Sequence, residues 1–360
     1  MRRWMATILM IGAGSFLAPD GVRGQDAERH TLSGNEVAIY NLAGSVRVEG
    51  GSGGGDVVVE VRRRGSGGDR LKVATGALRG RETLRVLYPE RRIVFRDGER
   101  RWGGETNVSV DDDGTFGDGG DGRGDGWRDR DRYEIRSSGS GFEGYAEVRV
   151  VVPKGKRVAV HLAVGEASAT NVDGDLMIDV HAARVTTSRT RGALDLDTGS
   201  GEVSVSDADG ELRLDSGAGS VTLARVKGGR LEIDSGSGAV RGSGVECDVL
   251  SLDSGSGSVR LEGVRARDLD VDSGSGSIDL QLLGDVERLR ADAGSGRVTL
   301  GIPESLGAEL RIETGSGGID VDVPATVTRQ GRGTFTGRLG DGRGRIDIDS
   351  GSGGVRLRRS

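Results

Sequence analysis

The chain has 360 residues, of which 66 are glycine and only 3% aromatic, with 50 basic and 56 acidic side chains giving a formal net charge of −6. So few large apolar side chains cannot fill a globular core of ordinary thickness, and a charge balance this even gives no bias toward nucleic acid or anionic membrane. Cys247 is the only cysteine, which excludes an internal disulfide.

Residues 1–24 read as an export signal. Arg2 and Arg3 precede the apolar run from Met5 to Leu17, and Val22-Arg23-Gly24 stands before Gln25. The run is too short to span a bilayer comfortably, and no Cys follows it for lipid attachment. Residues 25–34 are expected to be an unstructured leader.

Residues 35–157 are expected to form an N-terminal β-strand region. Val37 and Ile39, then Val46 and Val48, alternate on either side of Asn41-Leu42-Ala43-Gly44-Ser45, a rough terminal coil with Tyr40 and Asn41 at the turn. Val57 to Val61, Leu71 to Val73, Leu84 to Leu87 and Arg92 to Phe95 follow as strands, the last two joined by a turn at Pro89. Residues 97–141 break the pattern: Asp111-Asp112-Asp113-Gly114 through Gly126 and Trp127-Arg128-Asp129-Arg130 offer almost nothing to bury, so a disordered, low-complexity Asp/Gly-rich insertion is expected. It holds no calcium motif, because Phe116 stands where an EF-hand needs Gly and Gly124 where a β-roll nonapeptide needs Asp. Arg123-Gly124-Asp125 matches a cell-attachment tripeptide, which this composition produces by chance. Alternation resumes from Phe142 to Val152, and Pro153-Lys154-Gly155 turns the chain into Val158 to Leu162.

From 158 to 360 the sequence repeats. Asp197, Asp215, Asp234, Asp253, Asp272, Asp292, Glu313 and Asp349 precede successive Gly-Ser-Gly-like turns at steps of 18, 19, 19, 19, 20, 21 and 36 residues, and His161 and Asp179 extend the column backward. In the copy Leu250 to Leu261, Leu250 and Leu252 alternate before the turn and Val259 and Leu261 after it, giving two half-buried strands per copy. A lone copy cannot hold itself together. Five apolar residues contribute about 1.5–3 kcal/mol each when buried, whereas ordering the backbone costs about 1–2 kcal/mol per residue. Copies must therefore stack, either as an antiparallel meander or as coils of a parallel β-solenoid. The meander leaves its apolar face uncovered, because no amphipathic helix is present to cover it. The expected fold is accordingly all-β, a parallel, β-helix-like solenoid of two-strand coils of about 19 residues. The long last step is assigned to a loop at 324–344, after which 345–357 restore the pattern and Leu357-Arg358-Arg359-Ser360 closes the stack with charge.

Little in the sequence carries chemistry. Stacked coils would bring the Asp column to about 4.8 Å spacing, and two readings relieve the repulsion: Asx-type turns accepting backbone N–H groups, or bridging calcium. The outward columns, Asp195, Arg213, Glu232, Ser251, Asp270, Arg290, Arg311 on the first strand and Ser204, Thr222, Arg241, Arg260, Asp279, Thr299, Asp320 on the second, mix signs and make no basic stripe. His30, His161 and His181 lack metal-ligand spacing, and Cys247 has no evident base. Carboxylate pairs recur in every copy, whereas a glycosidase needs one unique pair in a cleft. No catalytic, cofactor-binding or metal residue is assigned.

Tyr145-Ala146-Glu147-Val148-Arg149-Val150-Val151-Val152-Pro153-Lys154-Gly155, followed by the Leu-x-Leu-Asp-Ser-Gly-Ser-Gly-x-Val-x-Leu units, resembles the bacterial adhesin-labelled β-strand-repeat family, domain of unknown function 4097. The resemblance covers residues 35 to 360 apart from the insertion. It implies an extracytoplasmic, non-enzymatic β-solenoid of the cell envelope, and it brings no functional residues with it. The expected function is an exported structural or interaction protein, adhesin-like, with an envelope or surface component as partner, no nucleic acid, no cofactor, and self-association left open. The alternative is a calcium-dependent binder of surface polysaccharide or peptide; a polysaccharide-active enzyme is a third reading.

Overall fold

The computed structural model describes residues 27–96, 104–117 and 130–360. The export signal, Arg123-Gly124-Asp125 and the glycines tested against the β-roll motif therefore lie outside the described residues. Among those described, strands make up nearly all regular structure, with one short 3₁₀ turn at Gly68–Arg70.

Period-two alternation sets which side chains turn inward. Val240–Ser254, for example, carries the second arm of one copy, a corner, and the first arm of the next. Its Val240, Val245, Leu250 and Leu252 are buried, while Arg241, Glu246 and Ser251 face water. Equivalent arms pair in parallel, Leu231 on Leu250 and Leu250 on Leu269, so the copies stack as coils of a β-solenoid-like column and not as hairpins. Valine, leucine and isoleucine from the two walls fill the narrow interior between them.

The Gly-x-Gly turns are set by how closely coils approach. A Cβ on Gly219, Gly238, Gly257 or Gly276 would stand 1.5–1.9 Å from the carbonyl oxygen of the glycine one coil below. No side chain fits there. Turn N–H groups donate to that lower coil, Gly236 N to Ser216 O at 2.8 Å and Ser256 N to Gly236 O at 3.0 Å.

Coil order departs from chain order at both ends. The Glu36–Gly50 strand, expected to be the terminal coil, lies inside the stack between Arg157–Thr170 and the pair Arg81–Leu87 and Tyr145–Val152. Antiparallel strands close that end: Lys72–Leu78 on one wall, Val57–Arg64 and then Glu28–Leu32 on the other. Residues 28–32, expected to belong to an unstructured leader, are thus an edge strand. At the other end Gly344–Ser350 inserts between Arg288–Ala293 and Ala308–Thr314, and Val355–Arg359 between Val298–Ile302 and Ile319–Asp322. The C-terminal strand is therefore interior and does not close the stack. The region 324–344, expected to be a loop, forms the hairpin Thr326–Gly331 and Thr334–Leu339, which caps Ala308–Thr314. A terminal strand is the segment that frays most readily, and sandwiching Val355–Arg359 between two strands ties it on both edges.

The insertion also differs from expectation. Glu105–Val110 and Asp131–Arg136 are strands that form a small sheet with Arg92–Val94. Ile93, Phe95, Val108 and Ile135 give it a buried face. The Gly and Asp content of 97–141 hid this short alternation. Phe95, Phe116, Phe142 and Tyr145 lie in or beside this region, and the one aromatic after Tyr145, Phe335, is buried in the opposite cap.

Candidate functional site

Two features stand out above the uniform coils: an acidic column along one wall and the cluster at its head. In register, rung by rung, run Tyr40, His161, Asp179, Asp197, Asp215, Asp234, Asp253, Asp272, Asp292, Asp349 and Glu313. From Asp197 onward each carboxylate sits at an outward position just before its turn. The column forms because strand alternation fixes the face and the repeat period fixes the register.

The carboxylates do not make the Asx turns that one sequence reading offered. The turn N–H groups are already committed to the coil below, and in most copies the hydroxyl of the next residue does the bonding inside the turn. Thr198, Ser216, Ser235, Ser254, Ser273, Thr314 and Ser350 are buried. Ser235 Oγ donates to Gly238 O at 3.1 Å, Ser254 Oγ to Gly257 O at 2.9 Å, and Thr314 Oγ1 to Gly317 O at 2.8 Å. The column is left to repel itself. Burial first, and then neighbouring carboxylates, push Asp197, Asp272 and Asp349 above their usual range. Nor do the acids converge for calcium: among the described residues no three His, Cys, Asp or Glu side chains are grouped to hold a metal ion.

At the head the column turns aromatic. The rings of Tyr40 and His161 stack at 4.5 Å with 4° between planes, and His161 Nδ1 lies 3.2 Å from Asp179 Oδ2. Phe116 of the insertion closes over them, edge-on to Tyr40 at 5.8 Å and to His181 at 6.2 Å. One coil turn away, Tyr88 Oη accepts from Ala43 N at 3.0 Å and donates to Asn41 Oδ1, which lies 2.8 Å off, while Asn41 Nδ2 donates to Ala146 O at 3.0 Å. Burial lifts the Tyr88 phenol far above its usual range, so it stays a neutral donor in this network. The sequence placed His161 and Asp179 in the column; the 18-residue spacing was the signal. It missed Tyr40 as a further rung and Phe116 as the cover, since neither follows from the repeat.

Along the corner between the walls, Asn171, Arg189, Asp207 and Arg225 hold left-handed backbone at φ 52 to 56°, and Gly244 and Gly263 take over the same position. Arg189 Nε donates to Asn171 Oδ1 at 2.6 Å, and Arg225 binds Asp207 through two hydrogen bonds of 2.6 and 2.9 Å. Where glycine replaces side chains, a shallow groove of about 460 Å³ opens between Arg225 and Leu283. A neighbouring one of about 410 Å³ includes Cys247, whose thiol is pushed up to about 11 by burial and by Asp248, which disfavours the thiolate. His30 lies beside Glu28 on an edge strand, Nε2 to Oε1 3.0 Å.

The outward columns pair by sign within and across rungs, as in Arg260 with Glu262 at 3.0 Å, Arg345 with Asp347 at 2.6 Å and Arg356 with Asp320 at 3.3 Å. Such exposed pairs contribute about 0–1 kcal/mol each and leave a flat, hydrated face. No helix among the described residues is long and apolar enough to cross a membrane.

A family model described as Toastrack DUF4097 matches residues 128–358. A solved structure of a "putative cell adhesion protein" from Clostridium sporogenes is similar at 8% identity and a TM-score of 0.19, over 93% of this chain and 100% of that one. No curated protein matches the chain.

Proposed function

This chain belongs to the Toastrack DUF4097 family, and on that premise we propose that it is a non-enzymatic interaction protein of the bacterial cell envelope, adhesin-like, exported and built as a parallel β-solenoid. The observation that supports this reading is the sameness of the walls. From Asp197 onward every rung carries a carboxylate before its turn, and all but the Asp292 rung, where Ala293 follows, add a buried Ser or Thr hydroxyl, so no one pair along this stretch is singled out for acid–base work. A rigid, flat, charged column suits display and docking. The partner is an envelope or surface component, and we assign no cofactor. Calcium-dependent binding remains the second reading, with no grouping of ligands among the described residues in its favour.

Fractionation of cells expressing the full chain, followed by capture of bound envelope material on the purified protein, tests the proposal. Recovery outside the cytoplasm with an N-terminus trimmed near residue 25 is expected. A cytoplasmic, unprocessed chain, or measurable hydrolysis of envelope polysaccharide, would overturn it.

A further inference from the structure

The two walls end differently at the C-terminal cap. On one, Ala308–Thr314 is covered by the Thr334–Leu339 and Thr326–Gly331 hairpin. On the other, Ile319–Asp322 pairs with Val355–Arg359 on one side and with no other strand among the described residues. The bond from Val355 N to Gly318 O, 2.9 Å, fixes the phase of that parallel ladder. Gly318, Asp320 and Asp322 therefore spend their backbone groups on the C-terminal strand, and Ile319 and Val321 turn theirs to the open edge. Inward side chains at this rung are incompletely covered. Val298, Leu300, Val355 and Leu357 on the two preceding rungs are at most 2% exposed, whereas Ile319, Val321, Val323 and Ala325 are only half-buried.

Outward, the edge shows Asp320 and Asp322, alternating with the apolar positions. Asp320 keeps 63% of its side chain exposed even though Arg356 lies 3.3 Å away on the inner side. The inner neighbour shows what such an edge accepts: Val355-Arg356-Leu357-Arg358 lies in register on Ile319-Asp320-Val321-Asp322, apolar on apolar and Arg on Asp. We propose that the Ile319–Asp322 edge is a docking site for a partner's extended strand in which apolar and basic residues alternate, added in the plane of the sheet. A second copy is disfavoured as the occupant, because pairing two of these edges sets the Asp320 and Asp322 carboxylates of one against those of the other, and like charges directly opposite are destabilising. The proposal names the partner chemistry of the interaction protein argued above and rests on that reading.

The probe is a fluorescein-labelled peptide with the sequence of residues 350–359, beside a counterpart carrying Glu at its three Arg positions. Anisotropy titration on the full chain is expected to show saturable binding of the basic peptide, about tenfold tighter than the acidic one. The double variant Asp320→Lys, Asp322→Lys sets Lys against Arg356 and Arg358, so it is expected to reverse that preference while lowering the melt slightly. Amide exchange should slow at Ile319 and Val321 and stay unchanged across 355–359. Equal affinity for both peptides, no reversal in the variant, or faster exchange at 355–359 from displacement of the chain's own strand would each overturn the site. So would a dimer in sedimentation that the double variant dissolves. Capture of envelope material is a separate readout: if the double variant retains it and peptide affinity is unchanged, the edge fails alone, whereas a cytoplasmic chain that still binds the basic peptide removes the envelope reading and leaves the edge standing.

Discussion

Asp272→Asn isolates what the acidic column costs. Asp272 is exposed and lies in register between Asp253 and Asp292. Two carboxylates at a rung spacing of about 4.8 Å repel by about 0.9 kcal/mol in water, and at physiological salt screening over a Debye length of about 8 Å roughly halves that. Arg290 nearby offsets a further part. Asn keeps the shape and removes both repulsions, so the variant should gain about 0.5–1 kcal/mol at pH 7 and physiological salt and lose most of the gain in about 1 M salt, where the Debye length is about 3 Å. The pH dependence has a definite sign. Burial and the flanking carboxylates raise the folded-state value of Asp272 above the ordinary carboxylate value of 3.8, so its contribution to stability is full below that value and lost as pH rises through the raised one. The advantage of Asn therefore shrinks as pH falls toward 3.8. Urea unfolding followed by far-UV circular dichroism, at two salt concentrations and across that pH range, measures all of this. A variant less stable than wild type by about 1 kcal/mol, or a difference that ignores salt, would mean that the carboxylate accepts a bond or holds an ion, and the repulsion argument would fall.

Gly257→Ala would place a Cβ 1.9 Å from Gly238 O, whereas Gly229 has nothing within 4 Å of a Cβ. The first should lose about 2–4 kcal/mol in thermal or urea unfolding and Gly229→Ala almost none; equal effects would refute coil contact as the reason for the turn glycines. Phe116→Ala removes the ring that covers Tyr40 and His161, weakening the seat of the insertion by about 3–5 kcal/mol, so limited proteolysis should cut within 97–141 much faster while the main melt moves little. An unchanged cleavage rate would show that Phe116 is not the anchor. Adding calcium or a chelator is expected to leave the melting temperature where it is, since the acids stand in a line and form no group of three; a calcium-dependent rise would revive the bridged ladder.

The column of carboxylates repels itself. From Asp197 to Asp272 its members make no ion pair among the described residues, whereas Asp179, Asp292 and Glu313 meet His161, Arg290 and Arg311. That middle stretch is the feature most open to a partner. The coils tolerate it because cohesion comes from elsewhere, from the aliphatic interior, the buried Ser and Thr hydroxyls, and turn N–H groups bonded to the coil below. Stability and display are thus assigned to different residues of the same repeat, Ser254 to the one and Asp253 to the other. Changes along the outward columns should alter what the wall attracts without unfolding it.

Much of this was legible in the residues. Alternation around Leu250, Leu252, Val259 and Leu261 is a local property, so it determined which side chains point inward, and a step near 19 stacked Asp197 through Asp292 correctly, although Asp349 then comes between Asp292 and Glu313 against chain order. His161 over Asp179 followed from the same arithmetic. Which residue serves the turn did not: Asp253 and Ser254 are both able to cap it, and only stacking decides, by consuming the N–H groups an Asx turn would need. The composition of 97–141 concealed two short strands that pair with each other and, outside the stretch, with Arg92–Val94. Coil order at the ends was likewise beyond the sequence. Every parallel edge in this fold offers nearly the same ladder and the same aliphatic face, so 344–359 could stack on any rung by pattern alone. The place it takes, between 288–302 and 308–322, is set by the hairpin before it and the cap around it, contacts that exist only once the chain has folded.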